Sequence, residues 1–205
     1  MKLIILLILV SCSTQPKKKE SVNKVNRIQQ LSEQRYDKLF SKISGFLFDE
    51  KELEVISLIE KNKNILEKKD RLGNNILQIA IEYKSKKLFD YLVTNYKFDL
   101  NHKNTFDNTA LMMAIDNNNQ EMALDLVIRK PNIHIKSSFD ETALVLAVKK
   151  NLLDLVIFLL DNNANPYDKA FMGRDLIEVA DTGEMKAIIQ KYRKSSKINN
   201  LIKKK

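Results

Sequence analysis

The chain has 205 residues, a formal net charge of +9, and only 4 glycines and 3 prolines. This length suffices for one domain with a hydrophobic core, and the scarcity of Gly and Pro argues against an all-β protein, whose turns need them. The lysine surplus suits nucleic acid, acidic proteins or lipid headgroups, but the 26 acidic residues are interspersed with the basic ones, so a solvated surface is the simpler interpretation.

The amino terminus has the layout of an export signal. Lys2 is followed by an apolar run in "MKLIILLILV", which is shorter than the ~20 residues that a membrane-spanning helix needs. The following "LVSC" resembles the lipobox of bacterial lipoprotein signal peptides, with Leu9 at −3, Ser11 at −1 and Cys12 at +1. The resemblance implies cleavage before Cys12, thioether lipidation of its thiol and acylation of the new amino group. The alternative is an ordinary signal peptide that is cleaved elsewhere, with Cys12 incidental.

Cys12 is the only cysteine of the chain. It cannot form an internal disulfide, and an unpaired thiol is a liability in an oxidising envelope. Lipidation would consume this thiol, and two or more acyl chains would anchor the protein stably. Loss of residues 1–11, whose single charge is Lys2, would lower the net charge from +9 to +8.

Residues 12–35 are predicted to form a lipidated tether. They are polar and hold few large apolar groups, so they cannot bury a core, although a partial helix is predicted from Val22 onward. The segment would span at most ~80 Å when extended and ~26 Å as a coil. The lysines at 17–19 would lie near the lipid, where each could contribute ~1 kcal/mol of attraction to anionic headgroups.

The following part of the chain repeats with a nearly constant period. An alignment on alanine gives steps of 34, 33 and 33 residues between Ala80, Ala114, Ala147 and Ala180. A period of this length with helix-sized apolar patterns indicates stacked units, none of which can bury its apolar face alone.

The repeated segments include "GNNILQIAIEYKSKKLFDYLV", "DNTALMMAIDNNNQEMALDLV", "DETALVLAVKKNLLDLVIFLL" and "GRDLIEVADTGEMKAII". They resemble the ankyrin-repeat motif G-x-T-P-L-H-x-A-A, and this resemblance implies an all-α solenoid of paired antiparallel helices joined by short hairpin loops. Repeats are predicted at 70–103, 104–136 and 137–169, with a capping repeat at 170–194. Residues 36–69 are predicted to form an N-terminal helical cap, and 195–205 a basic, frayed tail.

Local chemistry supports this assignment. The threonine position of the motif predicts helix N-caps at Asn75, Thr109, Thr142 and Asp175. The usual glycine after the first helix is replaced by Asn118 and Asn151, which tolerate a left-handed turn, and by the weaker Lys84. The histidine of the motif is replaced by Gln78, Met112, Val145 and Glu178. The hydrogen bonds between repeats that this histidine makes are therefore predicted to be absent, and buried residues such as Leu111 and Leu144 should carry the stacking.

The hairpin tips hold the candidate binding residues, since the resemblance implies binding through the tips and the concave helix face. The tip register holds the large apolar residues Leu72, Phe106, Phe139 and Met172. An exposed row of this kind marks an interaction site, whereas packing between neighbouring hairpins is the alternative. A polar rim is predicted from Arg71, Thr105, Ser138 and Phe171, and from Asn74, Asn108, Glu141 and Arg174. Of these, Arg71, Phe171 and Arg174 are assigned to the partner-binding site.

No catalytic, metal-binding or cofactor-binding motif stands out in the sequence. His102 and His134 have neither Cys partners nor i,i+4 spacing, so two surface histidines are the simpler interpretation. We therefore expect no enzyme activity, no metal and no cofactor, and nucleic-acid binding conflicts with export.

The sequence predicts a monomeric lipoprotein of the bacterial cell envelope that binds an unidentified protein partner. Cys12 would hold it in the cell membrane or the outer membrane, with the repeats outside the cytoplasm. The alternative is an inhibitor or immunity-type lipoprotein that blocks one specific enzyme or toxin.

Overall fold

The computed structural model describes residues 15–202, with side chains from 26 to 196 except that of Ile28. Within these residues the chain forms ten α-helices, two short 3₁₀ segments and no strand beyond an isolated bridge between Lys169 and Asp175. The helices are α1 Gln15–Phe48, α2 Glu52–Lys61, α3 Ile76–Glu82, α4 Lys86–Asn95, α5 Ala110–Asp116, α6 Gln120–Ile128, α7 Ala143–Lys149, α8 Leu153–Asp161, α9 Leu176–Val179 and α10 Gly183–Ile202. The 3₁₀ segments are Lys63–Glu67 and Phe171–Gly173.

The chain divides into two compact units, Met1–Lys42 and Ile43–Lys205. The predicted signal peptide at 1–11 and the predicted lipidation site Cys12 lie outside the described residues. Helix α1 begins at Gln15, seven residues before the predicted start at Val22. Pro16 is compatible with a first helical turn, and Lys, Glu, Gln and Arg are good helix formers, so the polar composition that suggested a tether also favours a helix. Within the described part of the chain, no helix combines the length and the apolarity needed to cross a membrane.

In the second unit the helices form two rows. The first-helix row contains α3, α5, α7 and α9, and the second-helix row contains α2, α4, α6, α8 and α10. Each helix of the first row packs against the helix that follows it in the chain and against its neighbours in the row. The helix pairs of neighbouring repeats therefore stack side by side, as the resemblance implies.

The core lies between these rows. Leu111 and Leu144 are buried, which confirms the prediction, and Ala114 and Ala147 are fully covered by their neighbours. Alanine at this position lets adjacent helices approach closely, because the contact distance between two helices depends on the side chains that separate them.

The predicted N-caps are confirmed. The side chains of Asn75, Thr109, Thr142 and Asp175 each accept a hydrogen bond from a backbone N–H in the first turn of a helix. Ser85 and Asn119 cap the second helices of two repeats in the same way, which the sequence analysis missed. Lys84, Asn118 and Asn151 are left-handed, with φ of 54°, 55° and 55°. Even the lysine therefore adopts the turn that the motif reserves for glycine.

The prediction that hydrogen bonding between repeats is lost at the histidine position was wrong at Gln78. This buried side chain donates from Nε2 to the carbonyl of Asn108, 3.0 Å away in the next repeat. Its Oε1 also accepts from the N–H of Asn75 at 3.0 Å and closes a capping box. An amide on a long side chain replaces the imidazole here, whereas Met112 and Val145 have no comparable donor and pack as apolar groups.

Helix α10 closes the second unit at its C-terminal end. Met185 and Ile189 are buried, and the guanidinium of Arg193 reaches the Pro166 carbonyl at 2.8 Å and the Asp175 carboxylate at 2.9 Å. The tail predicted to fray from residue 195 continues as a helix to Ile202. This helix contains no proline, and its only glycine is Gly183 at the start, so no residue within it interrupts the backbone hydrogen bonds.

The Asp175 carboxylate should make the stability of this end depend on pH. Burial raises the pKa of Asp175, but hydrogen bonds from Ile177 N–H, Lys169 and Arg193 outweigh burial and hold the pKa at about 2, below the ordinary 3.8. A depressed pKa stabilises the folded state above about pH 4, and this contribution is lost as the pH falls toward 2. Asp175→Asn keeps a capping side chain but cannot ionise.

We expect Asp175→Asn to lower the free energy of unfolding by about 1–2 kcal/mol at pH 7, with the difference from the unmodified chain vanishing near pH 2. Urea unfolding at pH 7, 4, 3 and 2 measures this. A difference that stayed constant over that range would contradict the assignment.

Candidate functional site: the hairpin tips

Four turns with the same backbone hydrogen bond carry the predicted tip residues, and in the fourth the apex residue Met172 is itself left-handed, with φ of 61°. In each turn a backbone N–H returns to the carbonyl three residues earlier, in the pairs Gly73 to Asp70, Asp107 to Asn104, Asp140 to Ser137 and Gly173 to Ala170, at 2.9–3.0 Å. The donors Gly73, Asp107, Asp140 and Gly173 are left-handed, with φ of 75°, 57°, 60° and 75°. The apolar residue just before each donor therefore lies at the apex of its turn.

Short polar side chains support the first three turns. The side chains of Asp70, Asn104 and Ser137 accept the N–H two residues later, at 2.9, 3.0 and 3.3 Å. These three residues were not predicted from the sequence, although an Asp, Asn or Ser at a constant distance before an apex is a turn signal. Ala170 occupies this place in the fourth turn and has no acceptor. There the N–H of Phe171 donates to the carboxylate of Glu141 at 2.9 Å.

Neighbouring tips are also bonded to each other. Thr105 donates to the Leu72 carbonyl from both its N–H and its hydroxyl, at 2.9 Å each. The N–H of Ser138 donates to the Phe106 carbonyl at 3.1 Å. The rings of Phe139 and Phe171 meet edge to face, with centroids 6.0 Å apart. The tips thus hold fixed positions relative to one another, which lowers the entropy that a binding event must remove.

The tip side chains are exposed. The exposed fractions are 45% for Leu72, 53% for Phe106, 61% for Phe139 and 85% for Met172, and Phe171 beside them is 50% exposed. These five residues are called the tip stripe below. Packing between hairpins is therefore partial, since Phe139 contacts Phe171 of the next hairpin but every member of the stripe keeps at least 45% of its surface exposed. Their role in binding remains a prediction.

The predicted polar rim is only partly present. Asn74 and Glu141 are buried, so they do not belong to a rim. The Asn74 side chain bridges Asp70 and Asn104, and the Glu141 carboxylate pairs with Lys149 at 2.9 Å. Asn74 and Glu141 each follow the left-handed residue of their turn, and their side chains point toward the repeat body. Both side chains therefore stabilise the turns from the side of the repeat body.

The other predicted rim residues reach the surface to different degrees. Asn108 is half-buried, whereas the side chains that remain exposed are those of Arg71, Thr105, Ser138 and Arg174.

Ion pairs flank three of the tips. Each joins a lysine to an aspartate at 2.9 Å, in Lys103–Asp107, Lys136–Asp140 and Lys169–Asp175. The hydrogen bond from Lys103 lowers the pKa of Asp107. Charges of opposite sign therefore lie side by side next to the apolar apices.

The two glycines of the tip turns allow two contributions to the free energy of unfolding to be separated. One is the strain of a left-handed backbone on a residue with a Cβ, and the other is the steric contact of that Cβ with its neighbours. Both have φ of +75°, but a Cβ on Gly73 would lie 3.2 Å from the Thr105 nitrogen, whereas a Cβ on Gly173 would meet nothing within 4 Å. Gly173→Ala should therefore cost only the left-handed conformation, roughly 1–2 kcal/mol. Gly73→Ala should cost measurably more, because it also displaces the Thr105–Leu72 bond. Thermal and urea unfolding compare the variants, and equal losses would contradict this account.

The histidines serve no shared site. Nε2 of His102 forms a 2.8 Å hydrogen bond with the Gly73 carbonyl and supports the first tip. His134 is exposed and lines an open groove with Val127, Lys130 and Ile133. Over the described residues, no group of three or more His, Cys, Asp or Glu side chains is placed to hold a metal ion.

Residues 96–170 match the family model for ankyrin repeats, with three copies of the repeat. The match covers the predicted repeats 104–136 and 137–169 and the end of the repeat before them. Together with the stacked helix pairs, it confirms the predicted fold class, an all-α ankyrin-repeat solenoid. No curated protein matches the chain.

Proposed function

We propose that this protein is a membrane-anchored lipoprotein that binds a protein partner through its repeat surface. The ankyrin repeats of residues 96–170 support the binding part of this proposal. Ankyrin repeats are modules for protein–protein interaction. The observation that carries the assignment of the site is the exposed tip stripe on the repeat array. Large apolar side chains in one exposed row are costly to keep in water, and partner binding would remove this cost.

The anchor is proposed from the sequence around Cys12. The export-type run "MKLIILLILV" and the lipobox-like "LVSC" place the single cysteine at the position of lipidation. Lipid chains on Cys12 would hold the protein on the bacterial cell membrane or the outer membrane, with its repeats outside the cytoplasm. Helix α1, which begins three residues after Cys12, would then connect the anchor to the repeats.

Cys12→Ala tests the anchor. The variant should leave an uncleaved or soluble exported protein, because the acceptor of the lipid is gone. Its repeats should unfold at the same temperature as those of the unmodified chain, since residue 12 lies outside them. Membrane fractionation with metabolic labelling by a fatty acid measures the first outcome, and thermal unfolding the second. Unchanged membrane association of Cys12→Ala would overturn the lipoprotein proposal.

A second candidate function is inhibition of one specific enzyme or toxin by the same surface. The hydrogen-bonded tips favour it, because a preorganised surface suits a single tight ligand. Pulldown from the native cell distinguishes the two functions. One stoichiometric ligand that loses activity in the complex supports inhibition, and several weaker ligands support a scaffold. In either function the protein acts by binding and performs no reaction of its own.

A further inference from the structure

We infer that the tip stripe recognises an apolar groove on a folded protein partner mainly through apolar contact, an inference that rests on the protein-binding function proposed above. The stripe is a ridge, because its side chains occupy the apices of turns, and Met172 and Phe139 are its most exposed members. Stacked helices lie about 8–10 Å apart, so three steps between four tips give a ridge of roughly 24–30 Å. Only a concave partner can cover both flanks of such a ridge.

The charges around the ridge indicate how recognition works. The two middle tips each carry a Lys–Asp pair at 2.9 Å, which balances the charge beside Phe106 and Phe139. At the fourth tip Asp175 pairs with both Lys169 and Arg193, and Arg71 and Arg174 are exposed beside the first and fourth tips. The repeats as a whole are also close to electrically neutral. Residues 70–170 hold 12 Lys and Arg against 13 Asp and Glu, a net charge of 12 − 13 = −1. The basic surplus lies outside them, and residues 185–205 contain eight Lys and Arg with no acid. The centre of the ridge therefore offers apolar surface with little net charge, and the exposed arginines lie at its two ends.

A second copy of the chain fits the ridge poorly. Five partly exposed apolar side chains offer about 600 Å² per copy, given 150–250 Å² for a large side chain, whereas a stable interface needs about 800 Å² from each partner. Two ridges would also meet only at their crests. A groove buries more area than a second ridge would, because it also covers the flanking Thr105 and Ser138.

A lipid surface fits the ridge poorly as well. Asp107, Asp140 and Asp175 place a carboxylate beside three of the tips. Insertion of the apices into a bilayer would remove these ion pairs from water, which costs more than their mutual attraction returns unless the geometry is excellent. A protein groove that covers the apices and leaves the ion pairs in water avoids this cost.

Site-specific photocrosslinking in the full-length chain, expressed in its native cells, tests the inference. p-Benzoylphenylalanine replaces Phe139 in the ridge. The matched control places it at Ile128, an apolar residue of helix α6 that is 63% exposed and outside the tips. A third position is Lys150, the C-cap residue of helix α7, which reports on the surface at the C-terminal ends of the first-helix row. Mass spectrometry of the crosslinked peptides then identifies the residues that each position touches.

We expect position 139 to crosslink to apolar residues that line a groove of one protein, and position 128 to crosslink to none of them. With the purified partner, the dissociation constant should change by less than about threefold between 50 and 500 mM NaCl, because apolar contacts are not screened. Charge-driven recognition would weaken by tenfold or more over the same range.

Other outcomes overturn the inference in distinguishable ways. Crosslinks from position 139 to the chain itself identify a dimer, and crosslinks to lipid identify a membrane surface. Crosslinks to a charged surface, with strong salt dependence, identify electrostatic recognition. A protein that crosslinks to position 150 but not to position 139 supports the proposed protein-binding function and contradicts the inference that the ridge is the binding surface. If no protein crosslinks to any of the three positions, both the inference about the ridge and the proposed protein-binding function are contradicted.

Discussion

Replacing Leu144 with alanine should lower the free energy of unfolding by about 2–5 kcal/mol. Leu144 is 1% exposed on helix α7, in the middle of the first-helix row, and α7 packs against its partner α8 and against both neighbours in its row. Truncation removes three buried carbon atoms and leaves a cavity that the surrounding helices fill only in part. Because each repeat is stabilised mainly by its neighbours, a defect in a central repeat also weakens the coupling on both sides.

Leu72→Ala is the matched control, because it removes the same atoms from a tip residue that is partly in water. Its cost should stay below about 1 kcal/mol. Urea unfolding followed by circular dichroism compares the two variants, and Leu111→Ala should behave like Leu144→Ala, since Leu111 is also buried on the first-helix row. Equal losses at Leu72 and Leu144 would show that the tip stripe belongs to the core.

The sequence predicted the features that depend on local chemistry repeated at a fixed period. N-caps such as Thr109 and Thr142 and left-handed positions such as Asn118 follow from the properties of a residue and its near neighbours. The tip register is of the same kind, because a turn brings one particular residue to its apex. One sequence was therefore enough to place the candidate site.

Some of the features that it missed depend on contacts between repeats. The Gln78 bond to the Asn108 carbonyl spans thirty residues of sequence, and the period alone does not show that an amide can replace an imidazole there. Asn74 and Glu141 look like surface residues by type, but the turn directs them toward the repeat body, where Asn104, Lys149 and Phe171 satisfy them. A polar residue next to a tip is thus exposed or buried according to partners that the neighbouring hairpins supply.

Helix α1 shows a different limit of sequence reasoning. The first half of its sequence holds few large apolar residues, so hydrophobic periodicity gave only a weak signal and the segment was predicted to be a tether. Helix propensity was the better guide, because residues 17–35 contain neither glycine nor proline and are rich in Lys, Gln, Glu and Arg. With 34 residues at 1.5 Å each, the helix has a length of about 51 Å, and residues 15–35 of the predicted tether are helical and not a coil.

The double change Phe106→Ser and Phe139→Ser should abolish capture of the native partner. Both rings are more than half exposed, and Phe139 also contacts Phe171 edge to face. Because Phe106 and Phe139 occupy the two middle tips, they form the centre of the tip stripe. Truncation of a central apolar anchor typically costs at least about 2 kcal/mol of binding, a loss of roughly 30-fold in affinity. Pulldown with the purified repeat protein as bait measures capture. Helical circular dichroism and melting temperature should remain nearly unchanged, because exposed apices contribute little to the core.

Two control variants give this result its meaning. Ile128→Ser removes an equally exposed apolar side chain outside the tips and should leave capture intact, which separates the stripe from general surface hydrophobicity. Replacement of Lys17, Lys18 and Lys19 by serine should weaken attraction to anionic lipid but spare the partner, since these lysines precede the repeats. If the lysine variant lost the partner while the double phenylalanine variant kept it, recognition would lie in the basic segment after Cys12. The exposed tips would then be apolar for a reason unrelated to binding.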